Sequence, residues 1–520
     1  MAKTDLWKEG SSMQTLVQKR LIKLPEPGPD DLRAGRERVL QTLGMPQVRM
    51  TLPVLQALED AMVRGAYEIT LTLSPAEPGL DVTAVQPGDT TGTVYGLALD
   101  IGSTNLEMEL VDLMSGRTLA KKGCLNDQTQ LGTNILDRIF SIREDRENLR
   151  RLQALVLENI RMLIAACCEE AALKLDDIAA MTVGGNTTMM HLFLGCDPWH
   201  VFQSPYTPVF YDPGVIAAQE LGLGLCCNVY CMPAIANYLG GDITSGLLET
   251  DMDTSEQISV FLDIGTNGEL VLGSRDFLLA GAGAAGPALE GACSKSGMRA
   301  EPGAVCSVKI DGGNQLHIQT IDNLSPKGIC GSGIVDLIAE GFLSGWIDAD
   351  GTLNAQASPK IKTVWDEARH ENVQAIVYAR GENGPLCFTQ DDVLEFIRCK
   401  AAAYTMVATL LDESGVAPEA ISKFYLSGGF GTHLNLESAI TIGMYPDLPR
   451  EKFVILGNSS LAGAKHLLLD GACRARLEKI RALTQYVQFG EMEKFPENMV
   501  AAQFLPHTDL SRYPSVHRRV

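Results

Sequence analysis

FLDIGTNGELVL, Phe261 to Leu272, is the stretch on which the reading of this chain turns. An apolar run ends in Asp-Ile-Gly, passes through small polar residues and resumes as a second apolar run. LALDIGSTNLEMELV, Leu97 to Val111, repeats the design. Glycine lets the backbone turn tightly and lets amide N–H groups approach an anion with no Cβ in the way. Beside Gly102 and Gly265, the residues Ser103, Thr104, Asn105, Thr266 and Asn267 add hydroxyl and amide donors. Asp100 and Asp263 close their apolar strands, a position suited to holding Mg²⁺ through water, since that ion keeps much of its hydration shell. One copy reads equally well as a tight β-hairpin without a ligand. Two copies, 163 residues apart, read as paired phosphate-binding turns. That offset is too long for a solenoid repeat and suits two duplicated domains facing each other across a cleft. A Walker loop is excluded, because no G-x4-G-K-[ST] occurs and each turn leads into a strand.

Three further stretches extend the candidate site. FYLSGGFGTHLN, Phe424 to Asn435, is an apolar strand followed by Gly428, Gly429 and Phe430, where a flat base or a phosphate can lie against the backbone. KGICGSG places Gly331 and Ser332 in a second turn of small residues around Cys330. GPALEGA sets Glu290 among small residues, where a carboxylate could orient an attacking water, positioning being most of what phosphoryl transfer needs.

The 520 residues exceed one compact core and fit two to four domains. No apolar run has membrane-spanning length, and MAKTDLWKEGSSMQ has no apolar signal core, so a cytoplasmic protein without a membrane partner is expected. The formal charge of −21, from 43 basic and 64 acidic residues, argues against a nucleic-acid partner. Thirteen cysteines in a chain without an export signal read as reduced thiols. The trio Cys226, Cys227 and Cys231 reads as small buried apolar side chains rather than metal ligands, and a C-x4-C-x2-C run is missing.

Along the chain, residues 1–12 read as a disordered tail. A strand in LVQKRLIKL, a helix over DDLRAGRERVLQTL, a strand and helix in VRMTLPVLQALEDAMVRG and a strand in YEITLTL make a small module over 13–92. Pro/Gly-rich residues close it near Gly92. Two α/β subdomains follow, at 93–255 and 256–520. His191, in a helix begun by GNTTMMHLF, reads as a packed or capping histidine, and Asn186, Thr187 and Thr188 read either as cleft-facing polar groups or as a helix cap.

Hairpin, hairpin and glycine strand occur in the order phosphate, phosphate, adenosine, which resembles the actin-like ATPase superfamily of acetate and sugar kinases, Hsp70 and actin. VGGNTTMMHLFLG, SPYTP, AIANYLGGDITSG, AAGPALEGACSKSGMRAEPGAV, KGICGSGIVD, FTQDDV, IGMYPDLP and LGNSSLAGA narrow the resemblance to the ATPase region of the reductive activators of corrinoid proteins, over about residues 13–505. The resemblance implies an actin-like pair of duplicated ATPase domains, preceded by a small α+β middle domain in the module at 13–92. It implies ATP and Mg²⁺ as cofactors, with a corrinoid protein of a methyl-transfer system as partner, reduced from Co(II) to Co(I). Asn186, Thr187 and Thr188 would face that partner, and a homodimer is compatible with the reading. Such activators carry an N-terminal [2Fe–2S] domain. Its cysteine run is missing here, so no iron–sulfur cluster is expected in this chain, and a separate ferredoxin-type protein would supply electrons. The alternatives are an ATP-switched chaperone that binds corrinoid proteins without electron transfer, and a small-molecule kinase of the acetate or sugar type.

Overall fold

The computed structural model describes residues 15–45, 47–76, 79–265, 268–283, 293–366, 370–382, 384–428 and 434–519; the expected tail at 1–12 lies outside them. The chain divides into two units, Met1–Glu249 with Ser459–Ala482, and Thr250–Asn458 with Leu483–Val520. No helix among the described residues is long and apolar enough to cross a membrane.

The first unit opens with the small module. Strands β1 (Gln18–Lys23), β2 (Arg49–Met50), β3 (Glu68–Ala76) and β4 (Gly79–Pro87) form a sheet in the order β1-β3-β4-β2. Helices α1 (Gly35–Leu43) and α2 (Leu52–Arg64) cover it, burying Val39, Val54 and Leu58 with Leu71 and Val82. Helix α1 starts later than the acidic run Asp30-Asp31 suggests. Asp31 is committed elsewhere: its carboxylate accepts from Arg38 Nη1 at 2.7 Å and its carbonyl from Arg38 Nη2 at 2.7 Å, which holds the preceding segment in a turn.

A six-stranded sheet follows, built from β5 (Tyr95–Ile101), β6 (Asn105–Asp112), β7 (Arg117–Leu125), β8 (Ile178–Gly185), β9 (Val215–Ala217) and β10 (Asn228–Cys231), in the order β7-β6-β5-β8-β10-β9. Strand β5 pairs antiparallel with β6 and parallel with β8, and β8 pairs parallel with β10. Helices α3 (Ile135–Glu144), α4 (Glu147–Ala171), α5 (Thr187–Phe193) and α6 (Gly241–Leu248) supply the crossovers and cover. Both faces are covered, so β5 and β8 read as nearly continuous apolar runs rather than alternating ones.

The second unit repeats the plan. Strands β11 (Ser259–Ile264), β12 (Gly268–Ser274) and β13 (Phe277–Gly283) form the meander. Two small three-stranded sheets are inserted: β14 (Ala304–Ile310), β15 (Leu316–Thr320) and β16 (Gly328–Ile329), then β17 (Ile361–Asp366), β18 (Glu371–Gly381) and β19 (Gly384–Thr389). Helix α7 (Gly331–Leu343) lies between the two inserted sheets in sequence, and α8 (Gln390–Ser414) follows them. Thr389 caps α8: its hydroxyl accepts from Asp392 N while the Asp392 carboxylate accepts from Thr389 N. Strands β20 (Lys423–Ser427) and β21 (Phe453–Gly457) complete the sheet, with β22 (Thr484–Tyr486) on its far edge, in the order β21-β20-β11-β12-β13-β22. Strand β20 is parallel to β11 and to β21. Each unit thus carries the same five-strand pattern, a meander whose first strand pairs in parallel with the fourth.

Residues 459–482, expected within the second subdomain, belong to the first unit. Helix α9 (Ser459–Leu469) buries Leu461, Ala464 and Leu468 and packs on β5 and β8, and α10 (Cys473–Leu483) follows it. Thr182 Oγ1 on β8 donates to the Ala464 carbonyl at 2.8 Å. Gly463 lies flat on α6, where a Cβ would fall 2.1 Å from the Ser245 carbonyl oxygen. Backbone cannot yield as a flexible side chain can, so Gly463→Ala is expected to cost about 2 kcal/mol through overpacking. Urea unfolding of the variant checks this, with a lowered midpoint at unchanged slope as the expected result.

Candidate functional site

Asp100 and Asp263 occupy equivalent places in the two sheets. Each stands one residue before the end of a buried first strand, and each carboxylate accepts a hydrogen bond from a serine. In the second unit Ser427 Oγ, at the end of β20, donates to Asp263 Oδ2 at 2.8 Å. In the first unit Ser460 Oγ, at the start of α9, donates to Asp100 Oδ1 at 2.7 Å.

The register shows why the hydroxyls come from different elements. Asp263 pairs with Ser427, whereas Asp100 pairs with Gly184. A Cβ on Gly184 would lie 2.6 Å from Ser460 Oγ, so the missing side chain is what lets the serine of α9 reach the carboxylate. The next residues along β8 and β20 are glycines as well. A Cβ on Gly185 would lie 2.9 Å from the Ile101 carbonyl oxygen; on Gly428 it would lie 2.4 Å from that of Ile264 and 2.9 Å from Asp263 Oδ1. Gly428 also has φ +93°, which L side chains rarely adopt. Gly185 and Gly428 therefore occupy one position in the two sheets, and Gly184 stands where Ser427 does. That signal was present in the sequence, but it becomes visible only when the strands are aligned.

In the first hairpin the turn carbonyls are tied down from one side. Asn126 Nδ2 donates to the Gly102 carbonyl at 2.9 Å, Arg138 Nη2 donates to that of Ser103, and Asn126 N donates to that of Thr104 at 2.8 Å. A trans peptide sets C=O and the following N–H in opposite directions. The N–H groups of Ser103 and Thr104 therefore point away from the Asn126–Arg138 side, as an anion cradle requires. Gly102 N–H closes the turn on the Asn105 carbonyl at 3.0 Å. Arg138 is fully buried, and its guanidinium also reaches the Gly132 carbonyl, Gln128 Oε1 and Met189 Sδ. Burial pulls it down to about 10, which leaves it charged at neutral pH. Asn126 and Arg138 carry no motif, and only the fold brings them to the turn.

The other expected site residues fall in several places. Gly265 has open space where a Cβ would stand. Thr266, Asn267, Glu290, Gly429 and Phe430 lie outside the described residues. Gly331 and Ser332 open α7; the Ser332 hydroxyl donates to the Cys306 carbonyl at 3.0 Å, and the buried Cys330 thiol contacts the Val305 carbonyl. Asn186 caps α5, accepting from Met189 N at 2.9 Å. Thr187 and Thr188 are buried at 2% and 4% exposure, so neither offers a surface that a partner protein can touch, against the expectation for this pair. His191 is packed: Nδ1 donates to the Thr187 carbonyl at 2.7 Å, Nε2 accepts from Val209 N at 3.2 Å, and the ring stacks on Phe210. Burial lowers its pKa, and the two hydrogen bonds select the neutral ring with its proton on Nδ1. Burial pushes the Cys227 and Cys231 thiols up to about 12, so both are inert at neutral pH.

The doubled sheet, with a carboxylate at the end of each first strand, defines an ATPase of the actin-like class. The chain belongs to the RACo family: residues 257–517 match "C-terminal domain of RACo the ASKHA domain", 95–255 match "RACo middle region" and 8–92 match "RACo linker region". The family's middle region thus falls on the residues of the first sheet rather than on the small module. A solved structure described as "Reductive activator for corrinoid,iron-sulfur protein" is 36% identical with a TM-score of 0.86, covering 98% of this chain and 82% of its own. "Corrinoid activation enzyme RamQ" of Eubacterium limosum is 29% identical over 90% of this chain and 79% of its own length. "[Co(II) methylated amine-specific corrinoid protein] reductase" of Methanosarcina barkeri is 27% identical over 74% and 72%.

Two outcomes test the site. Burial raises the Asp263 carboxyl above its ordinary value of 3.8, with only the Ser427 hydroxyl opposing. The folded state therefore holds that proton more tightly than the unfolded chain. The associated stability is fully present below about pH 4 and is lost as pH rises through the raised pKa. Asp263→Asn is expected to raise Tm at neutral pH, with the gain vanishing near pH 4, while ATP hydrolysis drops by ~100-fold or more. Calorimetry across pH and a phosphate-release assay check the two halves separately. Arg138→Met, which frees the Ser103 carbonyl, is expected to weaken ATP binding by about tenfold, the loss of one charge-assisted hydrogen bond behind the turn, as read by titration calorimetry.

Proposed function

We propose that this chain couples ATP binding and hydrolysis to the reduction of a Co(II) corrinoid, carried by a partner protein of a methyl-transfer system, to the Co(I) state. One observation carries the reading: within an ASKHA-type fold of the RACo family, both first strands end in an aspartate held by a serine hydroxyl. Asp100 and Asp263 hold Mg²⁺ through water, and the Ser103 and Thr104 N–H groups take phosphate oxygens. Gly265, Thr266 and Asn267 do the same in the second copy, Gly428, Gly429 and Phe430 take the adenosine, and Gly331 and Ser332 lie beside the nucleotide. Glu290 orients the attacking water, so that ATP and water give ADP and phosphate.

One electron goes to cobalt. It comes from a separate ferredoxin-type donor. The step is uphill for cellular donors, so ATP has to favour one conformation over another by differential affinity, and that preference has to be felt by the bound corrinoid protein. A cytoplasmic chain, assembled as a homodimer, completes the reading.

The test mixes the chain with a Co(II) corrinoid protein, a ferredoxin-type donor held reduced, and ATP. Co(I) absorbance that grows only with ATP is the expected result, and Asp100→Asn is expected to abolish it. Corrinoid-protein binding without Co(I) would make the chain a nucleotide-switched binding module. Phosphate transfer to an acceptor other than water would make it a kinase.

A further inference from the structure

His466, Asp470 and Cys473 bring one nitrogen, one oxygen and one sulfur ligand atom within 4.8 Å of one another, away from both strand-end aspartates in sequence and in role. His466 stands in the last turn of α9, Asp470 in the link that follows, and Cys473 at the first position of α10. The backbone presets this geometry. Asp470 N donates to the His466 carbonyl at 2.8 Å, Cys473 N to the Asp470 carbonyl at 3.1 Å, and Ala472 N to Asp470 Oδ1 at 3.0 Å. Glu249, which caps the C-terminal end of α6, accepts from His466 Nδ1 at 2.9 Å. Arg476 Nη1 donates to the Leu248 carbonyl at 2.9 Å and ties α10 to the same helix end. The Cys473 side chain is 5% exposed, while His466 and Glu249 are half-buried, so an ion could enter and the sulfur would sit at the floor.

We propose that His466, Asp470 and Cys473 form a binding site for a borderline-soft divalent transition metal of the zinc class, with Glu249 orienting the imidazole or filling the fourth position. Thiolate with imidazole selects such ions over Mg²⁺ or Ca²⁺, which take oxygen ligands. A carboxylate on the imidazole is the usual support of a metal-bound histidine. Ligand atoms around zinc stand about 3.5 Å apart, so the cluster has to contract by at most about 1 Å, which side-chain rotation supplies. Binding releases the thiol proton to solvent. All four residues belong to the first unit, so the ion would clamp the returning helices α9 and α10 to the C-terminal end of α6. The inference is independent of the corrinoid reading.

The experiment uses the whole chain, stripped with chelator and reduced, and titrated with Co²⁺ as a spectroscopic probe and with Zn²⁺ by calorimetry. One equivalent with a micromolar or tighter Kd, a near-ultraviolet thiolate-to-cobalt band and a Zn²⁺-dependent rise in Tm are expected. Cys473→Ser is expected to remove the band, and Glu249→Gln to weaken binding by about tenfold to a hundredfold while keeping it. Cys226→Ser, at a half-buried thiol elsewhere in the unit, should change nothing. Circular dichroism confirms that each variant is folded. Absence of any thiolate band in the unaltered chain, or its survival in Cys473→Ser, overturns the proposal and leaves a His466–Glu249 ion pair beside an inert thiol.

Discussion

A hydroxyl-to-carboxylate hydrogen bond at the end of a buried parallel strand is the constraint around which both sheets are organised. An aspartate in such a place is costly, because burial disfavours its charge, as the raised pKa of Asp263 shows. The carboxylate is tolerable only if the strand before it is rigid and the neighbouring strand leaves it room. Both conditions appear in the sequence of elements: β5 and β11 are apolar up to the aspartate, β8 ends in Gly184-Gly185, and Gly428 directly follows β20.

The two copies solve the same problem with different parts of the chain. In the second unit the serine comes from the adjacent strand. In the first, Gly184 stands where a serine would be, and the hydroxyl arrives from Ser460, 360 residues away in sequence. That single exchange gives the returning helix α9 a chemical role as well as a packing one. Its glycine must lie flat on α6 and its apolar face must cover β5 and β8 for the serine to arrive at the right height. Closing so long a loop is entropically expensive, and the buried area of α9 and the Thr182–Ala464 hydrogen bond offset it.

Two buried cations, Arg138 and Lys400, are met by carbonyl oxygens, whereas the buried Arg38 also meets the Asp31 carboxylate. Arg138 binds the carbonyls of Ser103 and Gly132, and the fully buried Lys400 donates to the carbonyls of Phe504 and Pro506. Both are pulled below their ordinary values by desolvation. A carbonyl partner fixes backbone, so these residues set the shape of segments without regular structure of their own. Behind the first hairpin this turns a loop into a cradle of defined polarity.

The sequence by itself determined the class of fold, the duplicated hairpins with Asp100 and Asp263 and the strand ahead of Gly428. These are local signals: an apolar run, a turn chemistry and an order along the chain, all written within about a dozen residues. It also announced, without making it legible, the match between Gly185 and Gly428, because pairing across a sheet is needed to see that the two glycines occupy one position. The tertiary structure alone decided that Ser460 reaches Asp100, that Arg138 and Asn126 aim the first turn, that Thr187 and Thr188 are buried, and that His466 meets Cys473 and Glu249. Each of these depends on side chains converging from elements far apart in sequence, and periodicity carries no information about which distant elements a fold will bring into contact.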